Sequence, residues 1–539
     1  MKPDSGVLSA VPAFAGAAAH RPPGWWGSIG WGSAALALML LTTLLAFMAL
    51  FGWSEGRPDF SILEDAYFHR ILRFTLWQAL LSTVFSVALA VPVARAVALD
   101  LRLPGRALFL RWSLLCFVMP SLILITGLVS VFGRSGWLTP WLGSGWRLYG
   151  LNGILIAHVF LNMPFALRVL VFQWQSIPDT AWKVSAQLGL SGWQRFRLVE
   201  WPALRGVLPG VAGFIFLLCF NSFAIVLALG GGPRATTLEV AIYQALKFSF
   251  NPAEALTLAW TQLLVAGGLF LLFSRFGRLR WLAPPQGQPW LPRLHPLTLW
   301  SGRLAYALAV LFLVVPIATL VPVAVLSGGQ GLPWATLWPV TLRSLGFAFA
   351  AATLATLLAL GGLELWRRVT SPAARQLTEF GALHHLVIPG MVLSVGLYLF
   401  FMPWVNWLRW GWIAVIGLNA LVALPFVYSQ LKPGVFDFDA NYRRQVADLG
   451  LHGWPFWRHL YLPWLLPALR RAWALAFVIA LGDLAVFGIF GHDNWRTLPW
   501  LIYALAGSYR LQAAALASLL LLLFALLALW LLEDHRRHA

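Results

Sequence analysis

The sequence predicts an all-α membrane protein with about twelve transmembrane helices in two parallel tandem repeats of six. Three observations predict this fold class: the apolar composition, the number of long apolar runs, and an internal repeat. Of the 539 residues, 60% are hydrophobic and 11% are charged. Because a soluble domain usually carries about 25% charged residues, this chain has more apolar surface than a water-soluble core could bury.

Twelve apolar runs are long enough to cross a bilayer, whose hydrocarbon core of about 30 Å takes about 20 helical residues. We expect helices because lipid gives the open edge of a strand no hydrogen-bond partner. The first six runs lie at 33–53, 72–98, 107–132, 149–172, 207–230 and 255–275. The second six lie at 303–327, 338–365, 382–402, 411–431, 468–491 and 511–533.

Basic residues fall mainly in alternate loops, so they lie on one side of the predicted membrane. The net charge of +19 would suit a nucleic-acid partner. The one-sided distribution instead matches the excess of Lys and Arg in cytoplasmic loops of membrane proteins. We therefore expect contact with membrane lipid and not with nucleic acid, and both termini in the cytoplasm.

The sequence contains no recognisable catalytic, metal or cofactor site. Cys116 and Cys219 both lie inside apolar runs, so they form neither a disulfide framework nor a zinc cluster. The phosphate-loop pattern GxxxxGK[ST] and the zinc-protease pattern HExxH are absent. We expect a chain that is not an enzyme and holds no cofactor, so that any energy source lies in another chain.

An internal repeat divides the chain into two halves. The segment KVSAQLGLSGWQRFRLVEWP at 183–202 aligns without gaps with RQVADLGLHGWPFWRHLYLP at 444–463, 261 positions later. Both copies have the same orientation, which predicts a pathway along a two-fold axis between the halves. The predicted divisions are a cytoplasmic N-terminal segment 1–32, a first half 33–275, a cytoplasmic linker 276–302, a second half 303–533 and a cytoplasmic tail 534–539.

Both repeated loops lie between the fourth and fifth runs of their half. Each has a short predicted helix, then a glycine and, thirteen residues later, a proline: Gly189 with Pro202, and Gly450 with Pro463. Small residues let another protein approach the helix closely, glycine ends the helix with a positive φ, and proline begins the next helix. The alternative is an amphipathic helix that lies on the bilayer surface.

This spacing resembles the coupling-loop motif of permeases in ATP-driven (ABC-type) importers: Glu-Ala-Ala, three residues, Gly, nine residues, Ile-x-Leu-Pro. The resemblance implies that each loop forms a coupling helix, which docks into a groove of a separate ATP-binding subunit. The residues expected at this contact are Lys183, Ala186, Gly189, Gly192, Pro202, Arg444, Ala447, Gly450, Gly453 and Pro463. Because Lys183 and Arg444 stand where the motif has Glu, we expect docking through shape and not through that charge.

Other segments indicate which importer permeases the chain resembles most. The stretch LCFNSFAIVLALGGGPRATTLEVAIYQAL at 218–246 resembles fused two-half permeases of ferric-iron and thiamine importers, and 193–205 and 505–519 resemble thiamine permeases of Gram-negative bacteria. The resemblance implies an inner-membrane permease that moves thiamine and its phosphates from periplasm to cytoplasm by alternating access. The implied partners are a periplasmic thiamine-binding protein and two copies of an ATPase, which holds ATP and Mg. The alternatives are a ferric-iron importer permease, an ion-driven carrier and a membrane enzyme.

Three polar residues inside the apolar runs are candidates for the translocation pathway. Asp483 lies deep in the eleventh run, and Asn221 and Ser222 occupy the equivalent stretch of the first half. A carboxylate within a span usually faces a cavity or a partner. With nearby aromatic rings it could steady a cationic ligand. The alternative is that Asp483 forms a local hydrogen bond that only orders the helices.

A glycine-rich turn follows the fifth run. It consists of Gly230, Gly231 and Gly232, and Arg234 comes after the next residue. Because glycine accepts backbone conformations closed to other residues, three in a row allow a hinge. We expect either a periplasmic gate or a plain turn at the end of a span.

Overall fold

The computed structural model describes residues 28–52, 60–276, 290–291, 294–325 and 334–532. Helices are the only regular secondary structure in these ranges, which confirms the predicted all-α fold. Residues 1–27, most of the predicted linker 276–302 and the predicted tail 534–539 lie outside the described residues.

In the first half, the described α-helices follow one another from Ser28 to Phe276. They are α1 (Ser28–Gly52), α2 (Ala66–Leu99), α3 (Arg106–Val118), α4 (Ser121–Phe132), α5 (Thr139–Leu142), α6 (Leu151–Gln175), α7 (Asp179–Gln187), α8 (Gly192–Arg195), α9 (Trp201–Arg205), α10 (Leu208–Phe220), α11 (Ala224–Leu229), α12 (Leu238–Lys247) and α13 (Pro252–Phe276).

The described helices of the second half extend from Pro296 to Leu532. They are α14 (Pro296–Ala318), α15 (Leu320–Val325), α16 (Trp334–Arg368), α17 (Pro372–Leu383), α18 (Gly390–Phe401), α19 (Trp407–Asp448), α20 (Gly453–Phe456), α21 (Leu462–Leu481), α22 (Ala485–Phe490), α23 (Leu498–Gly507) and α24 (Leu511–Leu532).

The number of membrane spans agrees with the prediction of about twelve. Within the described ranges, nine helices are long and apolar enough to cross a membrane, and three bent helix pairs raise the number to as many as twelve. The chain is therefore a multi-pass membrane protein.

Two of the predicted runs, 107–132 and 382–402, are sharply bent. The segments on either side of the break meet at 105° in the first case and at 97° in the second. Pro120 stands directly before α4 and Pro389 directly before α18, both in extended backbone. Proline has no N–H for the helical ladder and its ring clashes with the preceding turn, so each helix ends there.

The first helix of each half packs against the other half. Helix α1 lies on α16 and α18, while α14 lies on α2 and α4. A glycine makes each contact possible: a Cβ at Gly396 of α18 would collide with the backbone of Ala46 in α1, and one at Gly127 of α4 with the backbone of Pro316 in α14. Because the first helix of each half packs on the opposite half, the two halves are interlocked, and neither packs completely without the other.

The two halves repeat their local structure beyond the loops. In both, the helix after the repeated loop breaks before a six-residue helix, α11 or α22. The N–H of Leu238 donates to Thr75 Oγ1 at 3.1 Å, and the N–H of Leu498 donates to Ser344 Oγ at 2.6 Å. Each bond ties the start of a short helix, α12 or α23, to the long second helix of its half.

Candidate functional site

The first repeated loop starts with the short helix α7, which Pro178 precedes directly. The helix ends at Gly189, whose φ is +61°. There the N–H of Gly189 donates to Ala186 O and the N–H of Leu190 donates to Ser185 O, both at 3.1 Å. These bonds close the end of a helix around a left-handed glycine, as the sequence predicted.

The second loop ends in the same way but begins differently. Gly450 has a φ of +62°, its N–H donates to Ala447 O at 3.0 Å, and the N–H of Leu451 donates to Val446 O at 3.1 Å. The predicted short helix is not separate here, because the 42-residue helix α19 continues into the loop and ends at Asp448. At the equivalent of Pro178 this half has Asp439, which keeps the backbone N–H that a continuous helix uses.

The residues predicted to contact a partner lie at the surface of both loops. Lys183, Ala186, Gly189 and Pro202 are exposed and Gly192 is half-buried, as are their counterparts Arg444, Ala447, Gly450, Pro463 and Gly453 in the same order. The structure therefore leaves all ten accessible, in two sets of five with the same pattern of exposure.

Large apolar side chains are exposed at matched positions of the two loops. Leu188 is 69% exposed and its counterpart Leu449 72% exposed, while Trp193 is 71% and Trp454 56% exposed. Trp193 stacks on Phe196, as Trp454 stacks on the residue three positions later. Exposed apolar surface of this kind outside a membrane span is typical of a protein interaction site.

Each loop leads into a π-helical turn: Phe196–Glu200, which the short helix α9 follows, or Trp457–Tyr461, which the long helix α21 follows. In the first half, the guanidinium of Arg95 donates to both carboxylate oxygens of Glu200, at 2.6 and 2.8 Å. The indole N–H of Trp174 donates to the same carboxylate at 3.0 Å. The sequence analysis missed these residues, although Glu200 is the only acidic residue in the first copy of the repeat.

The second half anchors its turn through a different set of side chains. Arg367 donates to Asp439 Oδ2 at 2.9 Å and to Glu364 Oε1 at 3.0 Å. Its guanidinium carbon lies 4.6 Å from the ring centroid of Tyr461, which occupies the position of Glu200. An arginine near the end of the second long helix thus contacts the π-helical turn in both halves.

The predicted pathway residues lie at the helix breaks, and the structure gives them separate partners. Asp483 Oδ1 accepts from the N–H of Val486 at 3.2 Å and Oδ2 accepts from the N–H of Phe487 at 3.1 Å. Asp483 therefore caps α22, the local role that was its alternative interpretation. Ser222 is half-buried at the equivalent break.

The half-buried Asn221 contacts a buried polar pair, Glu239 and Gln262, that the sequence analysis missed. The amide of Gln262 donates to Asn221 Oδ1 at 3.3 Å and to Glu239 Oε1 at 2.6 Å. Glu239 and Gln262 are both buried, and the lone acidic residue in the apolar stretch 238–246 was the signal for them. Tyr243, on the same helix as Glu239, faces Gly488 of α22, so this group lies beside a contact between the halves.

The glycine turn after α11 is tight. Gly231 and Gly232 have φ values of +71° and +133°, and a Cβ at Gly230 would lie 2.7 Å from Ala235 O. Arg234 is exposed and lines an open groove beside α2.

In the corresponding turn of the second half, Gly491 takes the place of Gly230, while His492 and Asp493 replace Gly231 and Gly232. There Arg496 donates to Asp493 at 2.9 Å, a hydrogen bond that lowers the pKa of this exposed carboxyl. The two turns therefore share a position in the fold without sharing their chemistry.

The chain is similar over nearly its whole length to permeases of known substrate. It is 39% identical over 537 residues to the thiamine transport system permease protein ThiP of Salmonella typhimurium, a match that covers 96% of this chain and 98% of the relative. The chain belongs to the family of thiamine transport system permease proteins. A second member, from Brucella abortus, is 37% identical over 522 residues, or 93% of this chain and 94% of the relative.

The relationship extends beyond this family at lower similarity. The sulfate transport system permease protein CysW of Synechococcus elongatus is 28% identical over 237 residues, which cover 42% of this chain and 79% of the relative. No family model matches the chain. As a member of the thiamine permease family, the chain is an ABC-type transport permease, and the two matched loops are its candidate contact sites for other subunits.

Proposed function

We propose that this chain is the membrane-spanning permease of an ATP-driven importer that carries thiamine and its phosphates from the periplasm to the cytoplasm. It acts in the bacterial inner membrane with both termini in the cytoplasm. A periplasmic thiamine-binding protein delivers the substrate, and two copies of an ATP-binding subunit hold ATP and Mg. The names of the relatives support the substrate, and the two matched loops support the mechanism.

The observation that carries the mechanism is the likeness of the two loop surfaces. Both present an exposed leucine before a glycine of positive φ and an exposed tryptophan after it. Two equal surfaces on one chain fit two copies of the same partner. Binding of ATP by the partners draws the two loops together, and the halves rock to open the pathway alternately to each side.

The interlocked halves suit this cycle. Because α1 and α14 each pack on the opposite half, the halves can tilt without separating. The polar group of Asn221, Glu239 and Gln262 lies beside the contact between α12 and α22. The binding protein supplies most of the selectivity for thiamine.

Uptake into proteoliposomes tests the proposal. The vesicles contain this chain, its co-purified ATPase and the periplasmic binding protein, and labelled thiamine and ferric iron are offered separately. The matched control is the double variant Gly189→Trp and Gly450→Trp. No atom lies within 4 Å of a Cβ at either glycine, so the indoles would project into the space a partner needs.

We expect ATP-dependent thiamine uptake that stops in the double variant while the variant still inserts into the membrane. Uptake that persists without ATP would overturn the proposed mechanism in favour of an ion-driven carrier. Uptake of ferric iron without thiamine would overturn only the substrate.

A further inference from the structure

The first repeated loop is fixed to two membrane helices through one buried carboxylate. The Glu200 side chain is fully buried and accepts both hydrogen bonds of the Arg95 guanidinium and one from Trp174. Arg95 belongs to α2 and Trp174 to α6, while Glu200 ends the π-helical turn after the loop. We call these three residues the first anchor. A two-pronged guanidinium–carboxylate pair fixes both distance and orientation, unlike a single hydrogen bond.

The second loop has an equivalent that uses other chemistry. Arg367 of α16 is buried, pairs with Glu364 and Asp439, and lies over the ring of Tyr461. We call these four residues the second anchor. Since Tyr461 and Glu200 are 261 positions apart, the two anchors hold the same point of the repeated turn.

Both anchors lie at a π-helical turn. A π-helical turn is wound more loosely than an α-helix and occurs often at functional sites. Each anchor holds the last residue of such a turn, between the exposed loop surface and the next helix, α9 or α21. If a partner subunit displaces the loop, the loosely wound turn can bend and absorb the movement. The movement reaches α2 or α16 only if a rigid contact joins that helix to the turn.

We propose that the two anchors make Arg95 and Arg367 positioning residues, which carry the displacement of each repeated loop to the long second helix of its half. This rests on the proposed function, in which partner subunits move the loops. The ordinary alternative is that the buried pairs only stabilise the fold. Replacing such a pair by apolar side chains often preserves stability, which separates the two roles.

The first test needs neither partners nor transport. In nanodiscs, hydrogen exchange is measured at the amides of 196–201 and 203–205 and at those of 93–99 in α2. We expect Glu200→Gln to speed exchange in both segments together by about tenfold, the effect of losing a charged hydrogen bond. Arg303→Lys is the matched control, since Arg303 pairs with Asp100 at the same end of α2 but does not touch the loop. Unchanged exchange in Glu200→Gln would overturn the anchor itself.

The second test uses the complete transporter and measures thiamine transported per ATP hydrolysed. The variants are Glu200→Gln, Arg367→Lys, the apolar double variant Arg95→Met and Glu200→Met, and the control Arg303→Lys. We expect the first three to retain ATP hydrolysis while transport per ATP falls about tenfold, because a rigid link is lost from the cycle. The control should keep the wild-type ratio.

The double variant decides between positioning and stability. If it melts near the wild type and still transports poorly per ATP, the anchor positions the helix. A double variant that transports like the wild type, or variants that lose hydrolysis and transport in equal proportion, would overturn the positioning role. A wild-type complex without ATP-dependent thiamine uptake would instead refute the proposed function. The hydrogen-exchange test of Glu200→Gln would still show whether the anchor joins the loop to α2.

Discussion

The exposed tryptophans of the two loops lead to the most direct prediction. We expect Trp193→Ala and Trp454→Ala to weaken binding of the ATP-binding subunit, each by itself and more strongly together. A tryptophan side chain buries about 200 Å² when fully covered. With Trp193 71% exposed, docking can remove about 140 Å² of it from water, which corresponds to about 3.5 kcal/mol at about 25 cal/mol per Å².

Alanine keeps one carbon of the side chain, so the expected loss is about 2–3 kcal/mol, or about 30- to 150-fold in Kd. Trp454 is 56% exposed and should lose less, about 2 kcal/mol. The assay is binding of the purified ATP-binding subunit to the chain in nanodiscs, at one fixed salt concentration.

Trp404 provides the matched control. It is 72% exposed, as open as Trp193, but lies between α18 and α19 and outside both repeated loops. Trp404→Ala should leave the Kd unchanged. A double alanine variant of Trp193 and Trp454 whose Kd stays within about threefold of the wild type would refute the docking assignment. Removal of two tryptophans buried at an interface should weaken binding by more than that.

Two further predictions concern the backbone and the helix break. Gly189→Ala and Gly450→Ala should each lower the free energy of unfolding by about 1–2 kcal/mol through positive φ alone, because no atom lies within 4 Å of the added carbon. Thermal melting checks this, and Gly192→Ala, without a positive φ, should melt like the wild type. Asp483→Asn should cost about 1 kcal/mol of stability by weakening the cap of α22. Thiamine uptake should keep its KM, and a stable variant without uptake would return Asp483 to the pathway.

Much of the fold could be predicted because its causes are local. A run of apolar residues needs a membrane wherever it occurs, so the number of spans follows from composition and length. The glycines at 189 and 450 were predictable as helix ends for the same reason. Local geometry alone gives both glycines a φ within a degree of each other.

The bends in the spans, the packing between the halves and the partner of Glu200 depend on features that composition does not show. A run of the right length can still turn by 105° at Pro120, because hydropathy averages over the bend. The exchange of α1 and α14 between the halves depends on contacts far apart in sequence, such as Gly396 with Ala46. The partner of Glu200 lies 105 positions earlier, so the sequence could mark the carboxylate as unusual without naming Arg95.

The two halves share several exposed residues of the repeat and differ at the buried residue that ends the π-helical turn. Leucine, glycine and tryptophan recur at the loop surfaces, yet the buried Glu200 becomes Tyr461 beneath them. Two copies of one partner would require two equal surfaces, whereas each half needs only some rigid way to hold its own loop. Since an ion pair and an arginine over a ring both hold the last residue of the turn, the chemistry of the anchor is free to differ while its position is not.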